Sequence, residues 1–383
     1  MLPNIIEHFS ALPDPRRDHP NKLHKLIDII VITVWGLLAN QETWLDISEF
    51  AEETKDILKQ YLELPNGIPS HDTLSRAFAL INSEVWEELF FTWMEQRSLE
   101  TQAFIRRFQI DGKILRGTRS TGTGKREEAR TALNIVSVWG SEERLVLKQT
   151  AVESGSNEIK AAQTILNNLN LKNAVVSLDA IHAQVETLTQ IKKQKGDYVV
   201  GIKKNQRNLH QAVRDLFEDQ QKTHSLDTSK TFDVAHGRQE ERICVVLRDL
   251  ARLKDADCRV ESFTGLKSIF VVNKVVVRGG KESREQRFYL SSLECAASQA
   301  LELVRGHWSI ENQEHYVLDV TFHEDASRTR RGFAGRNLAL VRRMVLNILS
   351  LDADKTVSVR RKRVRAARDS DYALRLLGFH VTH

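Results

Sequence analysis

The sequence predicts an α/β fold: a mixed sheet flanked by helices, preceded by a helical domain and interrupted by a β-rich insertion. Three observations carry this. The first hundred residues show helical apolar spacing. From Phe104 the chain reads strand, strand, strand, helix, strand, helix, strand, helix, the order of a layered α/β structure. From Thr231 to Ser292 it is rich in strands and turn residues, and helical spacing then returns.

Within residues 1–100, LIDIIVITVWGLLA from Leu26 is apolar almost all round and is expected at the centre of its own small bundle. TWLDISEFAEETKDILKQYLEL follows with amphipathic spacing. The turn LPNGIP then leads to SHDTLSRAFALI, a short helix with Ser70 as N-cap and Arg76 on its surface. An ordinary capped helix and a DNA-reading helix–turn–helix both fit this pattern. SEVWEELFFTWMEQR closes the segment.

Residues 101–225 form the first part of the core. FIRRFQID reads as a strand ending in Asp111, and GKILRGTRSTGTGKREEAR as a polar, Gly-rich connection. TALNIVSVWG and RLVLKQTAV are close enough for a hairpin, and SNEIKAAQTILNNL is a helix capped by Ser156 or Asn157. NAVVSLDA, a continuous apolar run ending in Asp179, has the character of a fully buried strand. HAQVETLTQIKKQKG (helix), GDYVVGIK (strand) and NQRNLHQAVRDLFED (helix) follow. RICVVLR, SIFVVNKVVV and QRFYLSS belong to the β subdomain expected over 226–292, and residues 293–383 return to core helices with a basic C-terminal region.

At 383 residues and 41% apolar content the chain can build sizeable cores. A net charge of +5 and a pI near 9.0 suit a nucleic-acid partner without requiring one. The charge is concentrated in DKTVSVRRKRVRAARD, which contains Arg360, Arg361, Lys362, Arg363, Arg365 and Arg368. Cys244, Cys258 and Cys295 are widely spaced with no CxxC pair, which argues against a structural zinc module or a disulfide framework. The N-terminus lacks a signal-peptide pattern, and the longest apolar run is too short for a bilayer and contains Asp28. A cytoplasmic, nucleoid-associated protein with no membrane partner is expected.

Asp111 and Asp179 stand at the ends of apolar strands, where α/β folds place their sites and where a buried charge needs a partner or a cation. A third acid lies in RGHWSIENQEHYVLDVTFHEDASRTRRG. Counting in fours gives His307, Glu311, His315, Asp319 and His323, which suggests a metal-binding helix face. Residues four apart on an α-helix are offset by about 40°, so five of them sweep about 160° and cannot share one ion. Apolar neighbours such as Tyr316, Val317 and Val320 suggest that Glu311 is partly enclosed, which favours it as the ligand. Three carboxylates without thiolates favour Mg²⁺, with Mn²⁺ as a substitute, and two such ions can act at one phosphodiester. Lys113, Arg116, Lys203, Lys204 and Arg207 follow the strands concerned, where phosphate oxygens would arrive.

Taken together, LPDPRRDHP, GIPSHDTLSRAF, IDGKILRG, SNEIKAAQTIL, VSLDAIHAQ, DYVVGIKKNQ, HGRQEER, FYLSSL, RGHWSIENQEHYVLDVTFHEDASR, NLALVRRMVLNIL and KRVRAAR resemble the recurring blocks of the ISAs-type, or H-repeat-associated, DDE insertion-sequence transposases. The resemblance runs nearly end to end. It implies an RNase H-like catalytic core with a β insertion and an acidic triad of Asp111, Asp179 and Glu311. It implies metal-assisted cleavage at element ends followed by strand transfer, with double-stranded DNA as partner and a homodimer on it. A Tyr, Arg and Lys that often surround the glutamate in related transposases are here Val304, His307 and Leu318. Arg305, His307 or His315 would then serve as the basic phosphate partner, with Asn312 and Asp319 near the substrate. The alternatives are a structure-selective endonuclease on the same fold and a domesticated DNA-binding relative without activity.

Overall fold

The computed structural model describes residues 4–99, 106–121, 129–153, 155–204, 206–223, 225–235, 237–256 and 259–380. Phe104 and Ile105 at the start of the expected first strand, residues 122–128 of the Gly-rich connection, and Cys258 lie outside the described residues.

The N-terminal helices are α1 (Leu26–Leu38), α2 (Trp44–Glu53), α3 (His71–Leu80) and α4 (Ser83–Leu99). The strands β1 (Arg106–Leu115), β2 (Leu133–Gly140) and β3 (Leu145–Ala151) follow. Helix α5 (Glu158–Asn167), β4 (Ala174–Leu178), α6 (Val185–Lys193), β5 (Asp197–Ile202) and α7 (Arg207–Thr223) then alternate. Four long strands come next: β6 (Asp227–Ala235), β7 (Arg238–Leu247), β8 (Ser268–Arg278) and β9 (Lys281–Ser291). The chain ends with α8 (Ala297–Ile310), α9 (Ala334–Leu351), α10 (Val359–Ala366) and α11 (Ser370–Leu376).

These strands form one mixed sheet in the order β3-β2-β1-β4-β5-β9-β8-β7-β6. β1, β4 and β5 are parallel, whereas β5 through β6 pair antiparallel along the order. The strands of the expected β insertion pair onto the main sheet: Phe288 to Ser291 pair with Val199 to Ile202. β1 also runs four residues past Asp111, because Lys113 and Leu115 alternate inward beyond the glycine that suggested a strand end.

Two compact units make up the chain. One holds residues 1–102, 112–158 and 311–383, and the other 103–111 and 159–310. In the first, α1 is buried along nearly its whole length. Helix α9 packs on α1 and α3, so α1 shares its core with the C-terminal region instead of heading a bundle of its own. Asn337 of α9 donates to the carbonyls of Phe78 and Ile81 at 2.8 and 2.9 Å and accepts from Ser83 Oγ, satisfying the end of α3. Asn347, one face further along, closes on both the N–H and the C=O of Val146. That occupies backbone groups of β3 that an edge strand would otherwise leave open.

In the second unit, α8 lies on one face of the sheet. Ala297, Ala300, Leu301 and Val304 recur at helical spacing and meet Val175, Val199, Phe270 and Tyr289, one from each of four neighbouring strands. Ser177 and Asp179 continue the face that begins at Val175.

Candidate active site

The parallel register of β1 and β4 pairs Gln109 with Ser177 and Ile110 with Leu178. Asp111 and Asp179 are the next residue on each strand, so they occupy equivalent positions on neighbouring strands. Period-two alternation puts them on the face of Gln109 and Ser177, the face that α8 covers. Asp179 leaves β4 and opens the 3-10 turn Ala180–His182. Its Oδ2 accepts a hydrogen bond of 2.8 Å from Lys203 Nζ, just beyond the end of β5. Burial alone would raise the Asp179 carboxyl. The hydrogen bond from Lys203, the N–H of Ala180 and the Lys203 charge outweigh it and hold the group below the usual carboxylate range.

His307 is buried on α8, with Nδ1 2.6 Å from Ser177 Oγ. Burial pushes its pKa down to about 4 against the opposing pull of Asp179, so the ring is neutral at neutral pH. Trp308 beside it packs against two cations, Lys274 Nζ at 4.2 Å and Arg287 Cζ at 4.6 Å from the ring centre. Arg305 on the exposed side pairs with Asp233 of β6 at 3.1 Å.

In the first unit, Glu311–His315 forms a π-helical turn, a form that concentrates at functional positions. Glu311 is exposed, not partly enclosed. Its apolar neighbours do not wrap it: Leu318 and Phe322 turn into the core, while Tyr316 and Val320 face solvent. The ladder of fours disperses accordingly. His307 bonds Ser177, Asp319 bonds Lys113, and His323 stands in the left-handed region at φ 48°. Among the described residues no group of three or more His, Cys, Asp and Glu side chains is arranged to hold a metal. Asp111 and Asp179 remain an oxygen-only pair, with a lysine ammonium on Asp179 where a cation would be welcome; that donor chemistry fits a hard divalent ion.

Comparison with known proteins decides the family. Residues 102–348 match the Transposase DDE domain, and residues 6–94 match the DDE_Tnp_1-associated region. The chain belongs to the DDE transposase family. The transposase is 34% identical to "Putative transposase YncI" of Escherichia coli O157:H7 over 97% of its own length and 93% of that protein. It is 32% identical to "H repeat-associated putative transposase YhhI" of Escherichia coli K12, over 98% of both chains. A shorter relative, "Inactive transposase YbfQ" of Escherichia coli K12, is 43% identical over 20% of this chain. The resemblance to H-repeat-associated proteins is thus shown, and DDE domains generally use divalent metal ions.

The cations expected at the site divide into two sets in the transposase. Lys204 and Arg207 are exposed, as is Arg116, whose Nε is 3.7 Å from Asp325. Lys113 is not open to solvent: it is 6% exposed and meets Asp319 at 2.5 Å, Asp325 at 3.2 Å and Glu324 at 3.6 Å. Glu324 in turn shares Arg343 with Glu314, both at 2.9 Å, and all three side chains are fully buried. Sequence reasoning missed this network. Its only local trace is the pair of arginines inside the apolar run NLALVRRMVLNIL. The C-terminal basic run divides in the same way. Arg360, Arg361, Arg365 and Arg368 are exposed, whereas Lys362 and Arg363 are buried on the carbonyls of Leu349 and Leu37. No described helix is long and apolar enough to cross a membrane.

Proposed function

We propose that the protein cuts DNA at the ends of an insertion sequence and joins the freed ends to target DNA, on an RNase H-like core with Asp111, Asp179 and Glu311 as its acids. The observation that carries this is the β1–β4 register, in which Ile110 opposite Leu178 makes the two aspartates neighbours. The central order β3-β2-β1-β4-β5, a hairpin on one side of β1 and parallel strands on the other, supports the core assignment. Asp111 and Asp179 would hold Mg²⁺ or Mn²⁺, and Glu311, at the head of its π turn, would complete the set. A bound divalent ion supplies Lewis-acid polarisation of the scissile phosphate.

Asp179, held ionised, keeps its oxygens available, and Lys203 is placed to exchange that carboxylate for a phosphate oxygen. His307, neutral and tied to Ser177, fixes the orientation of α8 beside the aspartates. In cleavage a water oxygen bonds to phosphorus and the 3′ oxygen leaves with a proton. In joining, that 3′-hydroxyl oxygen bonds to a target phosphorus and expels the target's own 3′ oxygen. Lys204 and Arg207 are exposed for backbone contacts, and a dimer on double-stranded DNA would hold two ends together.

The test is cleavage and joining on duplexes carrying the element's ends, comparing the parent with Asp179→Ala. The expected result is loss of both products with DNA binding retained. A variant that still cuts would remove Asp179 from the chemistry. Pre-cut ends that are never joined would favour a structure-selective endonuclease.

A further inference from the structure

A cavity of about 1050 Å³ opens in the first unit, and none of the three proposed acids lines it. Its wall carries the guanidiniums of Arg328, Arg330, Arg331 and Arg342 against one carboxylate, Glu42, with the indole of Trp44 and several hydroxyls between them. The arginines are held at different depths. Arg330 donates from Nε and Nη2 to the carbonyl of Gly117, at 3.2 and 3.0 Å, and straps the loop down. Gly332, at φ +48°, lets the loop turn where a Cβ would lie 2.4 Å from the carbonyl oxygen of Ala79, and the N–H of Phe333 donates to that oxygen. Arg328 and Arg331 on this fixed loop are exposed, and neither makes an ion pair among the described residues.

Arg342 is different. It is 2% exposed, lines the same cavity, and has no hydrogen bond or ion pair among the described residues; its Nε is buried without an acceptor. Glu42 and Glu324 reach it through their charge alone, because Glu42 is paired with Arg363 at 2.7 Å and Glu324 with Arg343 at 2.9 Å. A buried guanidinium with no acceptor is costly to keep unless a ligand provides one. The ligand must be anionic and offer two oxygens to an arginine fork, and the mouth adds two further cations and an aromatic face. This is the chemistry of phosphate esters joined in a chain.

We propose that the cavity is a second DNA site of the transposase, seating one backbone phosphate on Arg342 and its neighbours on Arg328 and Arg331. It rests on the reading of the chain as an enzyme of DNA ends, and adds a grip that lies apart from the acids. The size of the cavity admits a nucleotide, and Trp44 offers its base or sugar a stacking face.

The experiment measures binding of a fluorescent duplex to the full chain by anisotropy, in chelator, across a range of salt. Arg328→Ser combined with Arg331→Ser is expected to weaken binding about tenfold or more and to reduce the salt slope by about two, roughly 0.9 for each phosphate left without its arginine. Arg342→Met is expected to weaken binding, because the buried end of the phosphate seat has been removed. Unchanged affinity and slope in the double variant would overturn the proposal. So would an Arg342→Met protein that melts earlier yet binds normally, which would make Arg342 a brace. Inorganic phosphate or a nucleoside triphosphate that raises the melting temperature where the duplex does not would assign the cavity to a small anion and overturn the DNA assignment. Because binding is read without metal, failure of Asp179 to matter for cleavage would sink the reaction scheme alone and leave this grip standing.

Discussion

At the scale of single residues, His307 makes a pH-dependent contribution with a definite sign. Its ring is held down to about 4 in the fold, against an ordinary value of 6.5. The unfolded chain therefore binds the proton first, and stability falls as pH falls. The contribution is complete above about 6.5 and is lost toward pH 4; at one unit per 1.36 kcal/mol it reaches about 3 kcal/mol at most. His307→Gln is expected to flatten the decline in unfolding free energy across that window, measured by urea titration at several pH values. Identical slopes for variant and parent would assign the decline to other groups. The place of Asp179 at a strand end was legible because it closes an apolar run, whereas Asp111, read in the same way, lies inside a strand that runs on to Leu115. The role of Lys113 was not legible. Its partners Asp319 and Asp325 lie 206 and 212 positions away, and no local pattern encodes such a pairing.

At the scale of elements, α1 shows why periodicity identified a helix without saying what covers it. An all-apolar helix signals burial on every side, but the cover comes from α2, α3 and α9. Gly36 marks the closest approach: a Cβ there would sit 2.9 Å from two carbons of Ile47. Gly36→Val should cost about 2 kcal/mol by overpacking, read as a lower urea midpoint at unchanged slope. Arg343 is the second element-level test, since it ties α9 to both Glu314 and Glu324 at 2.9 Å. Arg343→Met leaves buried Glu314 without its cation and Glu324 with the more distant Lys113 at 3.6 Å, and should destabilise by about 3–5 kcal/mol. Adding Glu314→Gln and Glu324→Gln should recover much of that loss, and no recovery would argue against electrostatics as the cause. Strands β6 to β9 were legible as strands but not as a continuation of the main sheet. Alternation reports which face is buried, not which strand is the neighbour.

At the scale of the whole molecule, the units are not consecutive in sequence. Composition and spacing revealed the α/β class and most of the elements, because those signals are local. The grouping of 1–102 with 112–158 and 311–383 was not visible, because it depends on which apolar surfaces find each other. It has a consequence for how the protein is made. Helix α1 leaves the ribosome long before α9, its packing partner, and Arg363, which closes on the carbonyl of Leu37, comes later still. Until then a largely apolar helix lacks the part of its cover that α9 supplies, an exposure that invites chaperone capture or aggregation. Chains stopped before residue 334 are therefore expected to be insoluble or rapidly degraded, as pelleting after expression would reveal; a soluble, folded product would contradict it. An early stop in such an element would then silence the whole chain without leaving a folded fragment behind.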